Sequence, residues 1–322
     1  MLSATKKRFA AAKQNASWLQ PALLAGLAIF SLIVPLILGT FNVFLATEIL
    51  ILALFSVSFN MLLGYTGMVS FGQAAYYGLG AYAAGLFVTR MGLPMPLAFA
   101  LAPFVAAVGA ALVGAIAVRR AHAYFIMLTL AFGQIVYAIA LSWYSVTGGD
   151  NGLLGVRPIP LLSSPTNYYY FVLVVVVICL YAMYRLVNSP FGSGLKAIRE
   201  NPLRAEAIGI NVLLHRWVIF IIAGFFSGVA GALLAFFQRS IFPDAALFTK
   251  SFDPLVTTVL GGVGNFFGPV VGSIFLVLLE RFVVRFTEHW LLVVGGLVII
   301  VVIGFSRGIT GFDISRFFGR RR

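Results

Sequence analysis

Residues 188–216 read NSPFGSGLKAIRENPLRAEAIGINVLLHR. They form the one long polar stretch in an otherwise apolar chain, and they carry Lys196, Arg199, Arg204 and Arg216 beside Glu200 and Glu206. Apolar runs of about twenty residues flank them, long enough to cross a bilayer. A charged excursion of this size between two spans is costly to dock against lipid unless something binds it. It reads as the place where a partner outside the membrane grips the part inside.

Working outward, composition supports a membrane protein. Of 322 residues, 61% are hydrophobic and 10% charged, with a mean hydropathy of +1.03. Soluble domains carry roughly 25% charged residues. The apolar runs are continuous rather than alternating, so the spans are helices and not the strands of a barrel. The net charge of +13 suits Lys and Arg retained on the cytoplasmic side. No basic stripe interleaved with aromatics supports nucleic-acid binding. The single cysteine, Cys179, lies in an apolar run and reads as an inert buried thiol. Lys6, Lys7, Arg8 and Lys13 precede a first apolar run that is too long for a signal peptide, so it reads as a retained span.

The expected fold is all-α: a polytopic bundle of about eight spans plus a broken, re-entrant hairpin. Candidate spans are 19–39, 43–63, 73–89, 96–118, 124–143, 168–187, 216–238 and 289–305. The stretch 254–286 is interrupted at Gly261, Gly262, Gly264, Gly268 and Pro269, which a continuous helix tolerates badly. A half-helix followed by a returning helix fits it, provided that protein or a water-filled cavity surrounds the break. With the N-terminus inside and this hairpin entering from the outer side, the inner segments hold Lys and Arg at 6, 7, 8, 13, 119, 120, 185, 196, 199, 204, 216, 307, 316, 320, 321 and 322. That is 16 of the 22 basic residues. A single crossing of 254–286 gives 13 against 9, a poorer fit to the positive-inside rule. The chain then divides into a cytoplasmic segment 1–18, a membrane domain 19–306 containing the loop 188–216, and a basic cytoplasmic tail 307–322 near anionic headgroups. The Gly-, Pro- and Ser-rich outer loop 144–167 is long enough to cap the outer mouth.

Two glycine-rich segments stand out. In NMLLGYTGMVSFGQAAYYGLGAYAAG, residues 60–85, the glycines from Gly78 to Gly85 suit tight helix packing. GYTGMVSFGQ is too broken for a straight helix, and Thr66, Ser70 and Gln73 are polar where polar groups are expensive. A broken helix of this kind is how transporters expose backbone along a substrate path. GGVGNFFGP, residues 261–269, repeats the device with Asn265. Asn60 and Gln134 read first as interhelical hydrogen bonds and second as path contacts. The candidate path is therefore Asn60, Thr66, Ser70, Gln73, Gln134 and Asn265. Glu48 lies near a span end within reach of headgroups, and Glu280 beside Arg281 reads as an interface pair.

No catalytic constellation appears. His122, His215 and His289 lack partners at metal spacing, and no glycine-rich segment ends in Gly-Lys-Ser/Thr, so the chain has no phosphate-binding loop of its own. Within the polar loop a break at Pro202 separates two short helices. Asn201 is the N-cap and Pro202 the first residue of the second helix, and Leu203, Ala207 and Ile210 share one of its faces. Gly209 lets that helix end. The loop is either an amphipathic helix on the inner leaflet or a helix docked in a cytosolic partner's groove.

GYTGMVSFGQAAYYGLGAY, TGGDNGL, LKAIRENPLRAEAIGIN with the span HRWVIFIIAGFFSGVAGALLA, and TVLGGVGNFFGPVVGS together resemble the branched-chain amino acid permeases of bacterial ABC importers. The matches run from about residue 43 to 305, and length and outer loop look more like the LivM-type subunit than the LivH-type. The resemblance implies a multi-pass inner-membrane subunit that binds no cofactor itself. It implies a related LivH-like permease, two cytosolic ATPase subunits that hydrolyse ATP, and a periplasmic substrate-binding protein as partners. It also implies a coupling helix in the polar loop, placed on Lys196, Arg199, Glu200, Arg204, Glu206, Ala207 and Gly209. Glu206, Ala207 and Gly209 match a short form of the Glu-Ala-Ala…Gly pattern, with Ile208 at the second Ala. Permeases for urea and short amides are similar, so the cargo is less defined than the machine. A stand-alone secondary carrier is the alternative of another class. It needs a buried titratable group, which the spans do not offer convincingly.

Overall fold

The computed structural model describes residues 35, 39–119, 123–286, 289, 292–296 and 299. The segment 1–18, nearly all of the expected span 19–39 and the basic tail lie outside the described residues, as do ten of the seventeen positions of the expected span 289–305. Among the described residues, the α-helices of six residues or more are α1 Thr40–Thr66, α2 Gln73–Thr89, α3 Met95–Ala117, α4 Ala123–Ser142, α5 Pro165–Val187, α6 Pro190–Glu200, α7 Pro202–Ala207, α8 Val212–Gln238, α9 Phe252–Gly261 and α10 Gly268–Val283. Proline opens α5, α6 and α7, where its missing N–H costs nothing. Among the described residues, five helices are long and apolar enough to cross a membrane: α1, α3, α4, α5 and α8. α2, at 17 residues, covers the expected span 73–89 in full.

α8 is the central helix. It packs against α1, α2 and α3 through Ala223, Gly224, Ser227, Gly228, Ala230 and Gly231, all buried. Gly80 of α2 lies against the backbone of Gly228, and Gly231 lies against the Tyr77 carbonyl. A methyl group added at Gly228 would come 2.5 Å from the Ala106 side chain of α3. Small residues thus bring three backbones into contact, the packing expected of Gly78 to Gly85. Bulkier side chains fill around the crossing, with Tyr76 edge-on to Phe220 at 5.5 Å.

The two ends of the bundle differ. At one end the loop 143–164 folds back, and Leu153–Leu154 (β1) pairs antiparallel with Ser240–Ile241 (β2) after α8. This two-residue ladder is the described strand structure, a small departure from the all-α expectation. Gly85, near the end of α2, packs against Ile241 and Leu153, and Arg239 donates to the Ser163 carbonyl at 3.0 Å. α6 and α7 lie at the opposite end, where α8 begins. The loop 144–167 and the polar loop 188–216 are therefore at opposite ends, as expected from the sequence.

Candidate functional site: two broken segments joined by the polar loop

Hydrogen bonds fix the depth of each segment. Ser58 of α1 and Gln73 of α2 both meet Ser227 of α8, at 2.8 and 2.6 Å. Ser58 and Gln73 therefore share one level. Gly67 lies nine residues beyond Ser58, about 13 Å further along the helix at ~1.5 Å per residue. Residues 67–72 thus run back into the bundle as irregular chain, and α2 starts inside it rather than at its surface. Gly67, at φ 73, makes the turn in a left-handed conformation that a side chain would resist. The backbone of this segment is held by Ser251, which accepts from Ala74 N at 3.0 Å and donates to the Phe71 carbonyl at 2.9 Å.

The second break has the same form. Thr257 of α9 and Ser273 of α10 both reach the Ser56 hydroxyl of α1, at 2.7 and 3.3 Å. α9 leaves that level, the chain breaks over 262–267, and α10 returns. This is the half-helix and returning helix expected for 254–286. Gly264, at φ 84, is the second left-handed turn. The tip of the V lies against Asn60, whose Nδ2 donates to the Asn265 carbonyl at 2.9 Å and whose Oδ1 accepts from Gly264 N at 3.3 Å. Asn60 is the interhelical hydrogen-bonding residue the sequence suggested.

The polar loop closes the junction. Arg199 of α6 donates from Nη1 to the Gly64 carbonyl in the last turn of α1. The same Nη1 is 3.0 Å from where a side chain would begin at Gly264. Lys196, one turn earlier, lies 5.6 Å from the centre of the Tyr65 ring. Both broken segments and the polar loop therefore meet around Asn60, Gly64, Arg199 and Gly264.

Of the other expected residues, Thr66 donates to the Leu62 carbonyl at 2.7 Å, so its hydroxyl serves its own helix end. Ser70 and Gln73 are fully buried, and among the described residues neither Ser70 Oγ nor Gln73 Oε1 has a hydrogen-bond partner. Gln134 is half-buried on α4; its neighbour Gly133 lies against Gly72, which brings that turn of α4 beside the start of α2. Asn265 accepts from Phe267 N at 3.2 Å through its side chain, which shapes the break.

In the polar loop, Ser189 accepts from Gly192 N and caps α6, while Asn201 accepts from Arg204 N at 3.0 Å and caps α7 as anticipated. Lys196, Arg199, Glu200, Arg204, Glu206, Ala207 and Gly209 are all exposed. The apolar face differs from expectation. Ala205 is the α7 residue buried against Ile198 and Val212, whereas Leu203 and Ile208 are 78% and 71% exposed. A six-residue helix sits on one small side chain, which leaves its larger ones outward. Sequence reasoning did not single out the hydroxyls Ser56, Ser58, Ser227, Ser251, Thr257 and Ser273. Their signal was small polar residues inside apolar runs, where each needs a partner. It also paired Glu280 with Arg281; in the structure Arg281 of α10 instead meets Glu48 of α1 at 2.7 Å. Among the described residues no group of His, Cys, Asp and Glu could hold a metal ion.

Apolar helices long enough to cross a membrane, with two segments interrupted inside the bundle, give the architecture of a membrane transport protein. The chain belongs to the family described as branched-chain amino acid transport system / permease component, whose model matches residues 17–303. It is 27% identical to the high-affinity branched-chain amino acid transport system permease protein LivM of Salmonella typhimurium, over 90% of this chain and 75% of that protein. It is 25% identical to the corresponding LivH of Escherichia coli, over 80% of this chain and 91% of that protein. A shorter match, 32% identical over 26% of this chain and 27% of that protein, is to the nucleoside ABC transporter permease protein NupC of Lactococcus lactis. No solved structure matches the chain.

Proposed function

We propose that this chain is a LivM-like permease subunit of an ATP-driven importer for branched-chain or related amino acids. It pairs with a LivH-like permease, two cytosolic ATPase subunits and a periplasmic binding protein. The match to LivM over most of both chains supports the pairing and the cargo. The shorter match to a nucleoside permease makes the machine the firmer half of the reading.

The observation that carries the coupling role is α7. It lies at the end opposite the loop 144–167 and holds Leu203 and Ile208 open beside Arg204 and Glu206. Exposed apolar side chains with a charged rim suit a groove in another protein. In this reading that end and the N-terminus face the cytosol, in keeping with the positive-inside count, and the hairpin α9–α10 enters from the outer side. Eight spans plus the hairpin follow if 19–39 and 289–305 both cross. The path runs along Ser70, Gln73, Asn60 and Asn265, with Gln134 near the start of α2. ATP is hydrolysed by the partners, and no cofactor is assigned to this chain.

The test replaces Glu206 with Lys and Gly209 with Trp in the co-expressed complex. Loss of co-purifying ATPase and of uptake is expected. Assembly and uptake that survive both changes overturn the coupling role.

A further inference from the structure

The coupling loop contains two sets of charged residues that face different things. Arg204 and Glu206 of α7 point to solvent beside Leu203 and Ile208. Arg199 of α6 is exposed as well, yet its guanidinium turns back onto the end of the bundle. Its Nη1 donates to the Gly64 carbonyl, the last turn of α1 before the first break. Its stem lies 3.6 Å from where a side chain would begin at Gly67, and its Nη1 lies 3.0 Å from the same point at Gly264, the left-handed turn of the second break. Asn60 links those two places directly, through Gly264 N and the Asn265 carbonyl.

We infer that Arg199 is not a docking residue but the positioning residue that ties the ATPase-gripped loop to both broken segments at once. The structural logic is mechanical. α7 rests on the rest of the chain through Ala205 against Ile198 and Val212, so a displacement of α7 moves Ile198, and with it the neighbouring Arg199. The carbonyl of Gly64 belongs to the last turn of a helix, where it lacks a full set of intrahelical partners. A guanidinium is the strong donor available to it, and charge-assisted bonds are roughly twice as strong as neutral ones. Glycine at 64 and 264 keeps both positions free of side chains: a methyl at Gly64 would strike the Asn60 side chain, and one at Gly264 would approach the guanidinium. Arg199 therefore holds the two halves' breaks in one register, and moving it moves both.

This inference rests on the chain being an ABC permease subunit, and the experiment separates the two. The complete complex, with its sister permease, ATPase subunits and binding protein, is reconstituted in liposomes. Uptake of labelled leucine and release of phosphate are measured together. For Arg199→Ala the ATPase stays bound and phosphate release continues, while phosphate released per leucine moved rises about tenfold, the equilibrium weight of one hydrogen bond to a charged group. Arg199→Lys keeps a charged donor and returns the ratio toward that of the unaltered protein. Arg199→Gln, which keeps an N–H but neither charge nor fork, gives an intermediate ratio and serves where the alanine variant does not accumulate. An unchanged ratio in these variants overturns the role. So does loss of the ATPase from the complex, which makes Arg199 a docking residue. An unaltered chain that never binds an ATPase overturns instead the reading of the whole protein.

Discussion

Gly228 is the point where a single methyl group should do most damage. In the structure its α-carbon faces Ala106 of α3 on one side and Gly80 of α2 on the other. A Cβ there would lie 2.5 Å from the Ala106 Cβ and 3.2 Å from the Pro103 α-carbon. Carbon atoms rest about 3.5–4.0 Å apart, so Gly228→Ala drives α8 from α3 by about 1 Å. Pro103 sits inside α3, where the backbone is already interrupted, so some of that shift is absorbed. Overpacking of this kind costs about 1–3 kcal/mol. The neighbouring Ser227, which holds Ser58 and Gln73, moves with Gly228, so the cost falls in the upper part of that range. The assay is the unfolding midpoint of the purified chain in detergent, with Ala106→Gly and the double variant alongside. Ala106→Gly alone loses about 1 kcal/mol of helix propensity. If the clash is with the Ala106 methyl, the double variant recovers stability relative to the sum of the two, by at least about 1 kcal/mol. Strict additivity refutes the contact, and a Gly228→Ala protein as stable as the original refutes the close packing of α8 altogether.

Asn60→Ala leaves Gly264 N and the Asn265 carbonyl without their partner, so the chain is destabilised by about 1–3 kcal/mol, read as a lowered midpoint in detergent. Asn60→Asp restores the acceptor to Gly264 N but not the donor, and recovers only part of that loss. Ser227→Ala removes one bond each from Ser58 and Gln73, which keep the Phe55 and Ala223 carbonyls; in membrane proteins such bonds average about 0.6 kcal/mol, so stability falls by about 1 kcal/mol while uptake falls more, because the start of α2 loses one of its ties to α8. Charge reversal of the exposed pair, Glu48→Arg with Arg281→Glu, is neutral within about 1 kcal/mol, whereas either change alone lowers insertion or yield. Leu203→Glu removes the exposed apolar side chain of α7 and abolishes ATPase co-purification without changing the midpoint of the isolated chain.

Much of the fold was legible because lipid imposes a simple rule: about twenty apolar residues make a spanning helix. That rule found α1, α3, α4, α5 and α8, and the glycines of 261–268 announced the broken hairpin. Helix starts were harder. α8 begins at Val212 because Asn211 accepts from Leu214 N at 2.9 Å, a polar cap hidden behind the polar His215 and the charged Arg216 where hydropathy alone placed the edge. The site was legible in its parts. Asn60, Asn265 and Arg199 were each singled out, yet nothing in linear order shows that Arg199 reaches a carbonyl 135 positions away. Gly64 presents no side chain to read, and its partner is backbone. The hydroxyl of Thr66 lies near a helix end, where it serves its own backbone.

The interfaces of α8 and of the hairpin differ in kind, and that difference bears on what can move. α2, α3 and α8 meet through glycine and alanine at backbone contact, with no atom to spare. Such an interface is held by dispersion over many atoms and does not slide without opening a void. The hairpin α9–α10 touches α1 instead through hydroxyls: Thr257 and Ser273 on Ser56, and Thr258 on the Ser56 carbonyl at 3.4 Å. Each of these bonds is weak in a bilayer and can be exchanged for another at the next turn. The segment 67–72 is likewise held by hydroxyls, Thr66 on Met68 N and Ser251 on the Phe71 carbonyl, the latter from the chain entering the hairpin. A pull on Gly64 and Gly264 therefore meets a rigid body on the α8 side and a row of exchangeable bonds on the other. The strain resolves in the hairpin and in 67–72, which are the two places where helical backbone is interrupted inside the bundle.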